Sequence, residues 1–217
     1  MFGFVTHTHS AVGGECPHKC DYCYVGKIRW GRPKKYVGPL RIVPEELKVR
    51  YGEGRMIFCE NCNDLFAAAV PDEIIRQVLE HCCLYPKNTY LYHSKNPARY
   101  AEFLQLMPPN RVLGATVETN RPTPGISRAP APMDRLAAMR AIPGRKLITV
   151  EPILDFDLPA LATGLLLAKP EVVIVGSDSK CCGLKEPGRS QIMDLLDVLK
   201  AGGLEVKQKP NLERLLR

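Results

Sequence analysis

An α/β fold on a parallel sheet, with six β/α units curved into a partial barrel, is the architecture this sequence predicts. Two observations carry the expectation. Short β-like runs alternate with helix-like segments along all 217 residues, and such alternation builds a parallel sheet through right-handed crossovers. The chain is also shorter than the roughly 250 residues of a full eight-unit barrel. A partial (β/α)6 TIM-like barrel therefore fits better. Apolar content of 45% and charged content of 24% suit a globular chain with a sizeable core. One domain over residues 1–217 is expected.

The elements follow in order. Residues 2–8 read as a first strand running straight into a cysteine-rich loop. Residues 44–51 read as a short helix with Pro44 in its first turn, and 56–60 as the second strand. Residues 71–84 form the strongest helix signal: Pro71, Asp72 and Glu73 open it, and Ile74, Ile75, Val78 and Leu79 make an apolar stripe. Strands are expected at 89–93, 112–118, 146–151 and 171–176, with helices at 97–106, 132–141, 158–168 and 189–200. Gly202 and Gly203 end the last helix, and 204–208 is expected to add a seventh strand. The Pro-, Arg- and Gly-rich stretch 120–132 reads as a long loop at the barrel mouth, where long loops often serve function.

The most informative residues are Cys16, Cys20 and Cys23 in the run CPHKCDYCY. Zinc would normally require a fourth ligand and paired Cys-x2-Cys knuckles; His18 lies inside the loop, but no second knuckle follows. A disulfide framework suits short secreted chains. Three thiolates on a four-iron cluster instead leave one iron open to a small molecule. This Cys-x3-Cys-x2-Cys run, with Tyr22 before the third cysteine, resembles the radical S-adenosylmethionine (radical SAM) superfamily. The resemblance implies a 4Fe–4S cluster on these three cysteines, in a loop after strand one. It also implies S-adenosylmethionine (AdoMet) on the open iron, cleaved reductively to a 5′-deoxyadenosyl radical that abstracts hydrogen from a substrate.

In parallel α/β folds ligands bind at the carboxyl ends of strands, and these ends are dense in polar residues here. The resemblance implies that Glu60 and Asn61 stand where a Gly-Gly-Glu sequence usually holds the methionine amine. It implies that Glu118 accepts from the ribose hydroxyls and that Tyr22 packs near the adenine. Glu151 is a candidate for ribose or substrate, with a buried structural role equally open. His93, Lys95, Asp178 and Lys180 remain as candidate substrate contacts.

Of the other six cysteines, Cys82 and Cys83 are expected to pack in the core. Cys59, Cys62, Cys181 and Cys182 fall at strand ends. Three readings stay open for them: buried thiols, a second cluster, or a hydrogen donor to a substrate radical, with Cys62, Cys181 and Cys182 as the donor candidates.

The net charge of +7 is concentrated. Residues 24–50 hold eight cations and two anions, a surplus of six. Within them, KIRWGRPKKYVGPLR interleaves Trp30, Arg32 and Tyr36 with basic residues, a pattern suited to phosphates and stacked bases. Nucleic acid or a nucleotide is therefore the expected substrate class. A peptide or small metabolite is the alternative, and a non-catalytic iron–sulfur or nucleic-acid-binding protein a further one. An electron-transfer protein would need four cluster ligands. An electron donor such as flavodoxin or ferredoxin is implied as a partner.

The segments MIFCENCNDLF, VPDEIIRQVLEH, LGATVETN and LITVEPIL resemble a small phage- and prokaryote-associated radical SAM family. The cysteine motif and a candidate hydrogen-donor cysteine also resemble those of spore photoproduct lyases. No apolar run approaches membrane-spanning length. Met1 to Val5 has no basic lead, so no export signal is expected. With nine cysteines, a reducing cytoplasm is the expected compartment.

Overall fold

The computed structural model describes residues 2–27 and 33–217. Strands are β1 (His7–His9), β2 (Val12–Gly13), β3 (Arg41–Ile42), β4 (Met56–Cys59), β5 (Thr89–Ser94), β6 (Arg111–Thr116), β7 (Lys146–Val150), β8 (Val172–Val175) and β9 (Glu205–Gln208). Helices are α1 (Asp72–Cys83), α2 (Tyr100–Phe103), α3 (Pro132–Ala141), α4 (Leu158–Ala168), α5 (Arg189–Ala201) and α6 (Glu213–Leu216). Seven strands form one sheet in the order β1-β4-β5-β6-β7-β8-β9, and every pair in it is parallel. This is the α/β partial barrel read from the sequence. The sheet is open, with β1 and β9 at its edges.

Period-two alternation sorts the strand residues. On β5, Tyr90 and Tyr92 face the core shared with the helices, whereas Leu91 joins Val112, Leu147 and Ile174 in a separate cluster. Phe2, Val5, Met56 and Phe58 pack against that second cluster. The Phe2 ring lies 5.7 Å from that of Phe58 and 6.0 Å from that of His93. These apolar groups fill the amino-terminal part of the barrel interior.

Three elements differ from expectation. The first strand covers only His7–His9, because residues 2–5 close a turn (Val5 N–H to Phe2 C=O, 3.1 Å) that delivers Phe2 to the interior. The helix expected at 44–51 is a single 3-10 turn, Glu46–Lys48, since one turn flanked by Val43 and Val49 cannot repay helix nucleation. The helix expected at 97–106 breaks into Pro97–Arg99, Tyr100–Phe103 and Leu104–Leu106. Arg99 at its start is held instead by the carbonyls of Ala67 and Val70, each at 2.7 Å.

The short antiparallel ladder of β2 and β3 was not expected. It closes a flap by pairing Val12 and Gly13 with Ile42 and Arg41, and the cysteine loop is part of that flap. Gly14, at φ +92°, makes the closure possible: a Cβ there would stand 2.2 Å from the Pro39 carbonyl oxygen. Trp30 and Arg32 lie outside the described residues. Among those described, no helix is long and apolar enough to cross a membrane.

Candidate active site

The cysteine loop and the carboxyl ends of the strands enclose one cavity of about 540 Å³. Its wall includes Cys16, Cys20, Tyr22 and Cys23 from the loop; Glu60, Asn61, Cys62 and Asp64 after β4; and His93, Ser94 and Lys95 at the end of β5. The far side is Glu151, Pro152, Ser177, Asp178, Ser179, Lys180 and Lys209. Most residues chosen from the strand-end rule thus meet around one space. Cys181 and Cys182 do not line it: Cys182 Sγ accepts from Lys27 Nζ at 2.7 Å, and Cys181 is exposed. Cys59 is buried elsewhere, 3.7 Å from Cys82. Cys83 is exposed rather than packed.

The cysteine loop is fastened at several points. His18 Nε2 donates to Asp64 Oδ2 at 2.8 Å. The Arg128 N–H donates to the His18 carbonyl at 2.7 Å and the Asp21 N–H to the Ile126 carbonyl at 2.9 Å. Ser127 Oγ lies 3.1 Å from Cys20 Sγ. The expected mouth loop therefore braces the cysteines from outside.

All nine cysteines are free thiols. Cys16, Cys20 and Cys23 are half-buried and also border a smaller cavity of about 170 Å³, together with Lys19, Val25, Tyr36 and Cys62. Burial first, then the Asp64 charge, pushes the Cys16 thiol up to about 12, so it needs a cation to ionise. Among the described residues no three His, Cys, Asp or Glu side chains are grouped to hold one ion. Cluster thiolates bind separate irons and spread wider than the ligands of one zinc. A soft, half-buried, undisulfided donor set of this kind fits an iron–sulfur cluster.

Two buried carboxyls face different surroundings. Glu60 is 2% exposed, at φ +61°. Its Oε1 accepts from the Val12 N–H at 3.0 Å, and its buried Oε2 has no partner. Burial, only partly offset by main-chain donors, pushes it up to about 8. Glu118 is 1% exposed, but both of its oxygens are engaged. Tyr22 OH and Lys95 Nζ donate to Oε1, and Arg135 donates to Oε2 at 2.8 Å. Burial would raise it, but the Lys95 and Arg135 charges prevail and hold it at about 2. Glu118 therefore sits behind Lys95 and Tyr22, which face the cavity, and three donors occupy its two oxygens.

Cys62 is paired with Tyr24. The Tyr24 hydroxyl donates to the Asn61 carbonyl at 2.6 Å and lies 3.2 Å from Cys62 Sγ. With that hydroxyl hydrogen used, the thiol is the donor of the second bond. Burial, then Cys62, raises the Tyr24 phenol above its ordinary range. Across the cavity, Lys209 Nζ contacts both Glu151 oxygens at 2.9 and 2.7 Å, and Asn211 Nδ2 adds a bond at 3.2 Å. Burial brings His93 down to about 3, so it is neutral, with Nε2 3.1 Å from Thr149 Oγ1. Its ring stands over Gly114, where a Cβ would be 2.4 Å away. Asp178 organises its own loop through the main chain of Lys180 and Cys182.

Sequence reasoning gave no role to His18, Tyr24, Asp64 or Lys209. Lys209 was reachable, since it directly follows the seventh strand. Tyr24 stands next to the third cysteine. For Asp64 and His18 the signal is tertiary.

The family model described as "Protein of unknown function (DUF5131)" matches residues 5–186. No curated protein matches the sequence at a significant level. Several solved structures share the fold. A point variant of spore photoproduct lyase superposes with a TM-score of 0.63 at 10% identity, over 93% of this chain and 75% of that one. Spore photoproduct lyase complexed with dinucleoside spore photoproduct gives 0.61 at 14% identity, over 93% and 76%. A double variant with bound AdoMet and dinucleoside spore photoproduct gives 0.55 at 13%, over 89% and 60%.

Proposed function

The chain belongs to the DUF5131 family, and we propose that it is a radical SAM enzyme whose core spans residues 1–217. The carrying observation is that the three loop cysteines, Glu60, Lys95 and Cys62 all border one cavity at the strand ends. Cys16, Cys20 and Cys23 are the residues that would hold a 4Fe–4S cluster. Bound there with AdoMet, and reduced by an electron donor such as flavodoxin or ferredoxin, the cluster supplies hydrogen-atom abstraction from a substrate.

The chain's own groups then divide the work. The unpartnered Glu60 Oε2 becomes, on loss of the carboxyl proton, the acceptor available to an amino group. Lys95, held in place by Glu118, offers its ammonium to an anion, an AdoMet carboxylate or a substrate phosphate. Tyr22 lends a ring edge to the same wall. Cys62 carries a thiol hydrogen that it can return to a substrate radical, with Tyr24 in hydrogen-bond reach. Lys209 with Glu151, Lys180, Asp178 and neutral His93 make the substrate end. The basic flap supports nucleic acid or a nucleotide as the substrate class. The neighbours' complexes with a dinucleoside photoproduct support the same choice. The free thiols support a cytoplasmic setting.

The test is anaerobic reconstitution with iron and sulfide, then dithionite and AdoMet, reading 5′-deoxyadenosine. Product from the wild type, and none from a Cys16/Cys20/Cys23→Ala variant, is expected. A fully loaded cluster that binds no AdoMet overturns the proposal. One observation favours a second reading, an electron-transfer protein: Cys62 borders the smaller cavity with the other three cysteines and is a candidate for a fourth ligand. Cys62→Ala separates the two. A hydrogen donor leaves the cluster intact and loses turnover, whereas a fourth ligand loses the cluster.

A further inference from the structure

Asp64 is 5% exposed and its two oxygens take four donors. Oδ1 accepts from the Phe66 N–H at 3.0 Å and Ser94 Oγ at 2.8 Å. Oδ2 accepts from the Lys95 N–H at 2.7 Å and His18 Nε2 at 2.8 Å. Four donors fill the lone-pair sites of a carboxylate. Three of them come from the turn after β4 and the end of β5, both parts of the sheet scaffold. The fourth is the one side chain that the cysteine loop sends to this carboxylate.

His18 stands between Cys16 and Cys20, and the next residue, Lys19, has φ +47°. A non-glycine residue in the left-handed region persists where its surroundings over-determine it. The second side-chain anchor of the loop is Tyr22, whose hydroxyl lies 2.7 Å from Lys95 Nζ. Both anchors end on the same residue: His18 reaches the Lys95 main chain through Asp64, and Tyr22 meets the Lys95 ammonium directly. Cys20 lies between the anchors, with Cys16 and Cys23 just outside them.

We infer that Asp64 is a positioning residue, locking the cysteine loop to the end of β5 through His18, so that Cys16, Cys20 and Cys23 are presented together. It rests on the proposed function only in taking these thiols as cluster ligands. Without the His18 bond the loop keeps its peptide links to residues 126 and 128, but of its two side-chain ties to Lys95 only Tyr22 remains.

Native-state alkylation of the reduced, metal-free protein with iodoacetamide tests this, resolved by site with mass spectrometry. In His18→Phe, which keeps a ring but has no donor, and in Asp64→Asn, Cys16, Cys20 and Cys23 should label about tenfold faster, the scale of one charge-assisted hydrogen bond. The exposed Cys83 and Cys181 should keep the wild-type rate. The double variant should label no faster than Asp64→Asn, since both changes remove one bond. If Asp64→Asn fails to fold, His18→Phe decides alone, because it leaves the bonds to Phe66, Ser94 and Lys95 intact. Unchanged labelling of the three loop cysteines in His18→Phe overturns the inference. So does equal acceleration at the buried Cys59 and Cys82, which would mean that the whole fold loosens. Failure of wild-type AdoMet cleavage would remove the proposed function and leave the labelling result standing.

Discussion

Glu60 and Glu118 are both buried carboxyls, and their surroundings drive them in opposite directions. Glu60 has main-chain donors on one side and an unpartnered oxygen on the other, so burial prevails and its proton is retained up to about pH 8. A folded state that holds a proton more tightly than the unfolded chain is favoured below the unfolded carboxyl pKa, roughly 4.3. That advantage is lost as pH rises towards 8. Glu60→Gln should therefore raise the stability of the cofactor-free protein at pH 8 by on the order of a few kcal/mol. The gain should shrink to nothing near pH 4.5 in urea titrations. Glu118 behaves the other way. Its folded-state value of about 2 adds stability that is present above the unfolded pKa and lost as pH falls through about 2. Arg135, 1% exposed, is half of the reason. Arg135→Leu should cost about 3–5 kcal/mol at pH 7 by leaving a buried charge short of a partner, read as a lower urea midpoint. The strand-end rule found both carboxyls. It could not foresee that Glu118 takes three donors, because these stand 17, 23 and 96 residues away.

At the scale of elements, helices of three turns or so were legible: 132–141 and 158–168 match to the residue, and α1, with its apolar stripe, lies within 71–84. Short elements were not. One or two turns gain too few local hydrogen bonds to decide their own conformation, so 44–51 and 97–106 took the shape their neighbours allowed. The β2–β3 ladder had no local signal at all, being two residues paired with two across the basic segment. Its closure depends on Gly14. Gly14→Ala combines a left-handed backbone with a clash against Pro39 and should cost more than about 1 kcal/mol. Hydrogen exchange reads it as faster exchange at Gly14 and Glu15, whose N–H groups donate to Lys35 and Gly38 at 2.8 and 2.9 Å, with α4 unchanged.

At the scale of the whole molecule, most of the surplus charge lies within residues 24–50, directly after the cysteine loop in the sequence. Binding of a single-stranded oligonucleotide should weaken with salt. If about four phosphates are neutralised, log K should fall against log [salt] with a slope of roughly −3. A slope near zero, or no binding at low salt, removes the phosphate-tracking role of the basic segment. By itself the sequence determined the order of strands and helices, the parallel sheet and the cysteine triad. Each of these is written in local periodicity or in spacing within eight residues, where short-range sterics and hydrogen bonding decide. Only the tertiary structure decided that Cys62, and not Cys181 or Cys182, faces the cavity. It also decided that Asp64 and His18 meet, that Lys209 closes on Glu151, and that Glu118 supports Lys95. Those outcomes depend on which loops converge at the carboxyl ends of an open sheet. That is a matter of global packing and charge pairing over distances along the chain that no local pattern encodes.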